Sequence, residues 1–285
     1  MTDDRNGTTI PDHEALRAVR AACLGELGWV GPAGAYALAV VPLVLGRRPA
    51  VALPYAWERA VRALADAGRA VLTLTDPRMT GSGWRPLALT GRVTVVDDLD
   101  GGVLVEQLLD QELRKHPPSR VLAGSPLLRR ENWWYVPRLV VELDVTGVAA
   151  AAVRTDPVGQ AVLVSAATAT ADPTVRADVV AVDDWDARPL PARALGSPPG
   201  LPRESGPAAL LATDASVPDL ERWSPHLLVG RWDGDRAELG VASGPPGSPG
   251  LPAPLGLWAR WRRQRELERA CRAGIATAEA AARRV

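Results

Sequence analysis

The chain has no phenylalanine, three tyrosines, two methionines, two cysteines and three histidines in 285 residues. Each shortage excludes something. Cys23 and Cys271 lie far apart, and each is set on an apolar helical stripe. Free cysteine behaves there as a small hydrophobe, so a disulfide scaffold or a cysteine zinc site is not expected. His13, His116 and His226 are scattered without metal-ligand spacing. Lysine is almost missing: Lys115 stands alone and every other base is arginine. Basic and acidic residues balance at 33 each, so the overall basic field that nucleic-acid binding uses is lacking. The longest apolar run, Tyr36 to Leu45, is broken by Pro42 and falls far short of the ~20 residues of a membrane helix. The N-terminus is acidic and polar, unlike a secretory signal. A soluble cytoplasmic protein with no nucleic-acid partner and no membrane partner is the expectation.

What is present is 47% hydrophobic and 23% charged, an ordinary globular balance for one large or two smaller domains. Leu16, Val19, Cys23 and Leu27 recur at helical spacing, which predicts a helix over about 12–27. Strands are predicted over 35–45, bent at Pro42, and over 50–54. A short helix follows at 58–67, closed by Gly68. Further strands read at 70–75, 87–96 and 136–145, with a helix over 103–115 stopped by His116-Pro117-Pro118. About five short strands linked mostly by hairpins fit a small antiparallel barrel better than a doubly wound sheet.

The second half is rich in proline and glycine, and a repeat organises it. W-R-P-L-A-L-T-G-R at 84–92 matches W-S-P-H-L-L-V-G-R at 223–231 in five of nine positions. Upstream, A-V-L-T-L-T-D at 70–76 matches A-A-L-L-A-T-D at 208–214 in four of seven, with the offset differing by one residue. A duplicated domain explains this better than a solenoid, and chance helped by biased composition is the competing explanation. The expected organisation is a barrel over 12–150, a degenerate barrel-like repeat over 151–250 and a C-terminal helix over 251–285. The fold class is α+β, mainly β: a split β-barrel, in two tandem barrel domains forming an internal pseudo-dimer. The C-terminal helix from about Leu257 carries Leu267, Cys271, Ile275, Ala278 and Ala282 as its stripe. Its dense arginines read as a solvated face, because Glu266 and Glu268 interrupt the charge.

The order of elements over roughly 29–146 resembles the pyridoxamine 5'-phosphate oxidase-like family of flavin-binding split barrels. The resemblance rests on A-Y-A-L-A-V-V, G-R-R-P-A-V-A-L-P, R-x-x-R-A-L-A-D-A-G-R, A-V-L-T-L-T-D, T-G-R-V-T-V-V-D-D and E-N-W-W-Y-V-P-R-L-V-V-E-L. It implies FMN, or deazaflavin in its place, at the interface of two barrels, both supplied here by one chain. It implies oxidoreductase chemistry on a small-molecule substrate, with a further homodimer open. Arg59 and Arg62, at the strand-helix junction, would hold the flavin phosphate, since the planar guanidinium pairs well with phosphate oxygens. Trp84, Arg92, Trp133 and Trp134 are the other cofactor candidates. The junction P-Y-A-W-E-R-A-V-R departs from the family: it has no serine or threonine, and Glu58 repels a phosphate.

Each candidate also has a structural explanation. Arg59 and Arg62 lie on one helix face and serve equally as a solvated surface. Trp84 is repeated by Trp223, as a corner residue would be. Arg92 and Arg231 both follow glycine, as in a buried strand-end salt bridge. Trp133-Trp134-Tyr135 could fill a barrel mouth. His116 could ligate haem, or sit at a helix end near the negative dipole. Asp97-Asp98 and Asp183-Asp184 read as turn acids with no partner in view. Three functions remain open: a flavin oxidoreductase, a cofactor-free tandem-barrel binding or scaffold protein, and a haem-binding barrel.

Overall fold

The computed structural model describes residues 12–123, 134–166, 174–196 and 200–283. The first helix, α1 (Asp12–Ala21), buries Ala15, Ala18 and Val19. It ends well before the predicted residue 27. Gly25–Gly31 is instead a strand, β1, fully paired with β2 (Gly34–Val40). Leu27 fits a helical stripe on paper, but along a strand it and Trp29 turn to the core while Gly28 turns to the opposite face. Pro42, which has no amide proton, separates β2 from β3 (Leu43–Leu45). A hairpin leads to β4 (Arg48–Pro54), then a 3-10 turn (Tyr55–Trp57) and α2 (Glu58–Ala67). Gly68 closes α2 in the left-handed conformation (φ 68°), its amide bonded to the carbonyls of Leu64 and Ala65.

Strands β5 (Arg69–Leu74) and β6 (Leu87–Asp98) follow. A π-wound turn (Leu104–Leu108) then runs into α3 (Leu109–Lys115), α4 (Pro117–Ala123) and β7 (Arg138–Ala150). Among its described residues the first half thus has seven strands where about five were expected. The second half carries β8 (Gln160–Ala166), β9 (Val175–Ala181), the two-residue strands β10 (Leu190–Pro191) and β11 (Arg193–Ala194), β12 (Gly206–Ala215), β13 (Trp223–Asp233) and β14 (Glu238–Ser243). The long α5 (Leu257–Ala282) follows.

All pairings are antiparallel, in two seven-stranded sheets. The first runs β2-β1-β5-β6-β7-β4-β3, and the second, from its other edge, β11-β9-β8-β12-β13-β14-β10. Six strands therefore recur in the same spatial and chain order: β1, β2, β4, β5, β6 and β7 correspond to β8, β9, β10, β12, β13 and β14. The chain is mainly β, two tandem split barrels with flanking helices. The repeated Gly-Arg has a local cause. Register shifts by one residue at Thr90/Gly91 in β6 and at Val229/Gly230 in β13. At each bulge a Cβ would collide with the backbone of the neighbouring strand, at Asp144 or at Gly240. Only glycine fits, so the bulge preserves the motif.

Each half has its own core. Trp29, Leu64, Leu72, Leu89 and Leu139 lie in the first; Leu163, Leu210, Leu228 and Trp232 lie in the second. A third apolar cluster joins the outer faces of the sheets. Ala35, Ala37, Val71 and Ala88 of the first half meet Val162, Val164, Val175, Ala209 and Leu211 of the second. Val71 aligns with Ala209 in the repeat. Gly28 pairs with Val71 and Val164 with Ala209, so Gly28 and Val164 are equivalent positions. They also touch: a Cβ on Gly28 would enter the Val164 side chain. The pseudo-two-fold axis passes between them, as the axis of a homodimer would.

Candidate functional site

Pro54 ends β4 and the chain tightens into the 3-10 turn that launches α2, setting Arg59 and Arg62 on its first two turns. The structure uses these two arginines differently. Arg59 is exposed. Arg62 grips Asp97 at the end of β6 with both terminal nitrogens, at 2.9 and 2.6 Å, and reaches Glu58 at 3.3 Å. Tyr55 donates to the same Asp97 carboxylate at 3.0 Å. The hydrogen bonds from Arg62 hold the Asp97 carboxyl below its ordinary range, and partial burial opposes this. Burial first, then the bond to Asp97, pushes the Tyr55 hydroxyl up. Asp97, read in the sequence as a partnerless turn acid, is thus the group that occupies Arg62. Asp98 has a use as well: its carboxylate accepts the amides of Val103 and Leu104, at 3.0 and 2.8 Å, and so starts the helix that follows.

The same junction is roofed by α5. Gly274 and Cys271 are buried against Tyr55 and Ala56, and a Cβ on Gly274 would strike the Tyr55 carbonyl. Burial also raises the Cys271 thiol above its ordinary pKa. A flavin phosphate fits poorly here. Arg62 is already matched by two carboxylates, Arg59 faces solvent, and the backbone of the 3-10 turn is under a helix.

The remaining described candidates lie on different elements: Trp84 precedes β6, Arg92 lies within it and Trp134 precedes β7. Trp84 packs on the first core with its indole N–H buried and without an acceptor, and Trp223 buries its own in the same way. Arg92 and Arg231 are exposed, which corrects their reading as buried strand-end salt bridges. Register places Arg92 opposite Arg69, and the β-bulge explains the repeated glycine without any need for the arginine. Trp134 is buried edge-on to Tyr135, and Trp133 lies outside the described residues.

Two buried polar clusters were invisible in the sequence. One joins the halves. Arg154, on the connection between β7 and β8, is almost fully buried. It bonds Glu26 of β1 at 3.1 Å, Asp76 at 3.5 Å and the Thr213 carbonyl of β12 at 2.7 Å. Arg78 holds Asp76 at 2.7 Å and Asp214 at 2.8 Å, so the two aspartates of the repeated T-D motif converge on one guanidinium. Desolvation drives the Glu26 carboxyl above its ordinary pKa despite Arg154 and donation from Thr73 and Thr75. The other cluster lies behind α3. The Ser119 hydroxyl donates to Glu112 at 2.8 Å and contacts Nδ1 of His116 at 2.9 Å and the Tyr135 hydroxyl at 3.1 Å. Arg138 stacks over the Tyr135 ring at 4.0 Å. The His116 ring lies 5.8 Å from that of Trp223 in the other half, and burial lowers its pKa. A shallow groove of about 460 Å³ opens beside Arg47, Arg48, Gln107 and Glu142, and none of the described candidate residues lines it.

No protein-family model matches the chain, and no curated protein matches it. Among solved structures it is similar to General Stress Protein 26 from Bacillus anthracis, at 8% identity and a TM-score of 0.32 over 48% of this chain and 90% of that one. It is similar to a FAD-binding protein from Mesorhizobium loti at 16% identity and a TM-score of 0.31, over 51% and 96%. It is also similar to a heme binding protein from Mycobacterium smegmatis, at 15% identity and a TM-score of 0.33 over 93% and 99%. At such identities and scores these likenesses carry no weight on chemistry.

Proposed function

We propose that the chain works without a flavin, as a tandem split-barrel binding or scaffold module. One observation carries this: the guanidinium that would take the flavin phosphate is bound by Asp97 and Glu58, and the 3-10 turn beside it is covered by α5. An anion there would displace a bidentate carboxylate and face Glu58 at once. The interface between the barrels is filled by side chains such as Val164 against Gly28, and by the Arg154–Glu26 pair. These contacts suit a body that holds two halves in fixed register.

A second reading, haem binding, rests on His116. Its Nδ1 is fixed by Ser119 and burial favours the neutral ring, the condition in which Nε2 of a histidine can ligate iron. No group of three or more His, Cys, Asp or Glu residues is placed to hold a metal among the described residues, so His116 would stand alone.

The test is a visible absorbance spectrum of purified protein, before and after incubation with FMN or hemin and desalting. A colourless protein retaining neither is expected. A retained yellow flavin spectrum overturns the proposal, and a Soret band lost in His116→Ala transfers the function to the second reading.

A further inference from the structure

The two ends of α5 are unlike. From Cys271 onward it buries Cys271, Gly274 and Ala278 against the body, whereas no residue from Leu257 to Ala270 is buried. At ~1.5 Å per residue this free part is about 20 Å long. Three of its apolar residues are exposed, Leu257 by 85%, Trp258 by 78% and Trp261 by 56%, while Ala259 and Leu267 are half-buried. At ~100° per residue the three exposed ones fall within one arc of about 100°. Trp258 and Trp261 meet edge to face at 6.0 Å, and Arg265 lies 5.6 Å over Trp261.

The charge around this stripe is lopsided. Between 257 and 272 there are six arginines and two glutamates. Glu268 is held between Arg265 and Arg272, and Arg260 reaches Glu221 at 3.2 Å with Asp219 nearby. Arg262 and Arg265 are exposed on the tryptophan side of the helix, at about 140° and 80° from Leu257 by the same spacing. Two solvent-facing tryptophans are an unfavourable use of apolar area for a free surface. Tryptophan flanked by arginine matches the boundary between acyl chains and anionic headgroups, where the indole sits at the interface and guanidinium pairs with phosphate.

We propose that the first turns of α5 dock this protein on an anionic membrane surface, with Leu257, Trp258 and Trp261 entering the headgroup layer and Arg262 and Arg265 contacting lipid phosphates. The contact is peripheral, since no described helix is long and apolar enough to cross a membrane. It does not depend on whether a cofactor is bound.

The experiment is flotation of the full chain with vesicles of phosphatidylcholine alone or of about three parts phosphatidylcholine to one part phosphatidylglycerol. Flotation with the anionic vesicles only, weakened by high salt and accompanied by a blue shift of tryptophan emission, is expected. Trp258→Ala/Trp261→Ala and Arg262→Ala/Arg265→Ala should each lower partitioning at least about tenfold while circular dichroism stays unchanged. No flotation with anionic vesicles overturns the proposal, as does flotation insensitive to either double variant. Concentration-dependent self-association lost in the tryptophan variant, without flotation, overturns it in favour of a second copy of the chain as the occupant.

Discussion

The two barrels share a topology and differ in how completely it is built. The first half inserts α2 between β4 and β5 and carries α3 and α4 between β6 and β7. The second reaches β12 from two-residue strands through a proline-rich stretch with no helix among its described residues. What both halves keep is informative. The bulge glycine, the Trp-x-Pro corner and the Thr-Asp strand end recur in each. The glycine is demanded by a backbone approach and the aspartates by a shared arginine across the axis. Elsewhere the halves have become complementary. The interface of the first half is built mostly of Gly and Ala, and that of the second mostly of Val and Leu. A homodimer would place the same residue on both sides of its axis. Fusion removes that constraint, and Gly28 against Val164 shows the result.

The sharpest way to break the comparison is at the bulges. Gly91→Val should cost about 4 kcal/mol or leave the first barrel unfolded, because the obstructing atoms belong to a central strand. Gly230→Val should act equally on the second barrel, and denaturant unfolding read by circular dichroism checks both. At the junction between halves, Arg154→Met should cost about 3 kcal/mol by stranding buried Glu26, and adding Glu26→Gln should recover part of that loss. Unequal recovery in a double-mutant cycle would locate the coupling elsewhere. Gly28→Val should cost about 2 kcal/mol, and combining it with Val164→Gly should restore most of the loss by exchanging knob and hole. An unrescued double variant would show that the two sides of the axis are not interchangeable.

Lys115 belongs to the first half alone. Its ammonium is buried on the carbonyls of Val19 and Pro42, at 2.7 and 2.5 Å. Burial lowers its pKa to about 8. In the unfolded chain this lysine keeps its proton to near its ordinary value of 10.5. Between about pH 8 and 10 the unfolded state therefore binds the extra proton, and stability should rise with pH by about 2 kcal/mol. Lys115→Met should flatten that rise in denaturant midpoints measured across the window. The smallest effect is expected at the candidate phosphate site. Arg62→Ala should cost under about 1 kcal/mol, as a partly exposed ion pair does, and leave FMN retention unchanged. A lowered FMN retention would restore the flavin site.

Much of the fold was legible because its signals are local. Gly68 closing α2, Pro42 dividing β2 from β3 and the apolar runs of β5 and β7 follow from backbone sterics and from burial. The repeat was legible because bulges and corners constrain single positions. The boundary of α1 was misread because Leu16, Val19, Cys23 and Leu27 satisfy the helical period. Pairing of β1 with β2 decided otherwise, and pairing is non-local. The candidate site was the least legible. Arg62 announces a possible anion ligand, but whether it is free depends on Asp97, 35 residues away. Arg154 gave no signal, since its partners come from strands in both halves.

The sequence by itself determined the turns at Pro42 and Gly68, the duplication and the absence of metal-type spacing, because each is written in neighbouring residues. Only the tertiary structure decided that the repeated aspartates converge on one arginine, that Arg62 is occupied, and that α5 covers the strand-helix junction while leaving its tryptophans exposed. Those outcomes depend on which distant groups share a low-dielectric space, where charges must find partners and side-chain volumes must fit.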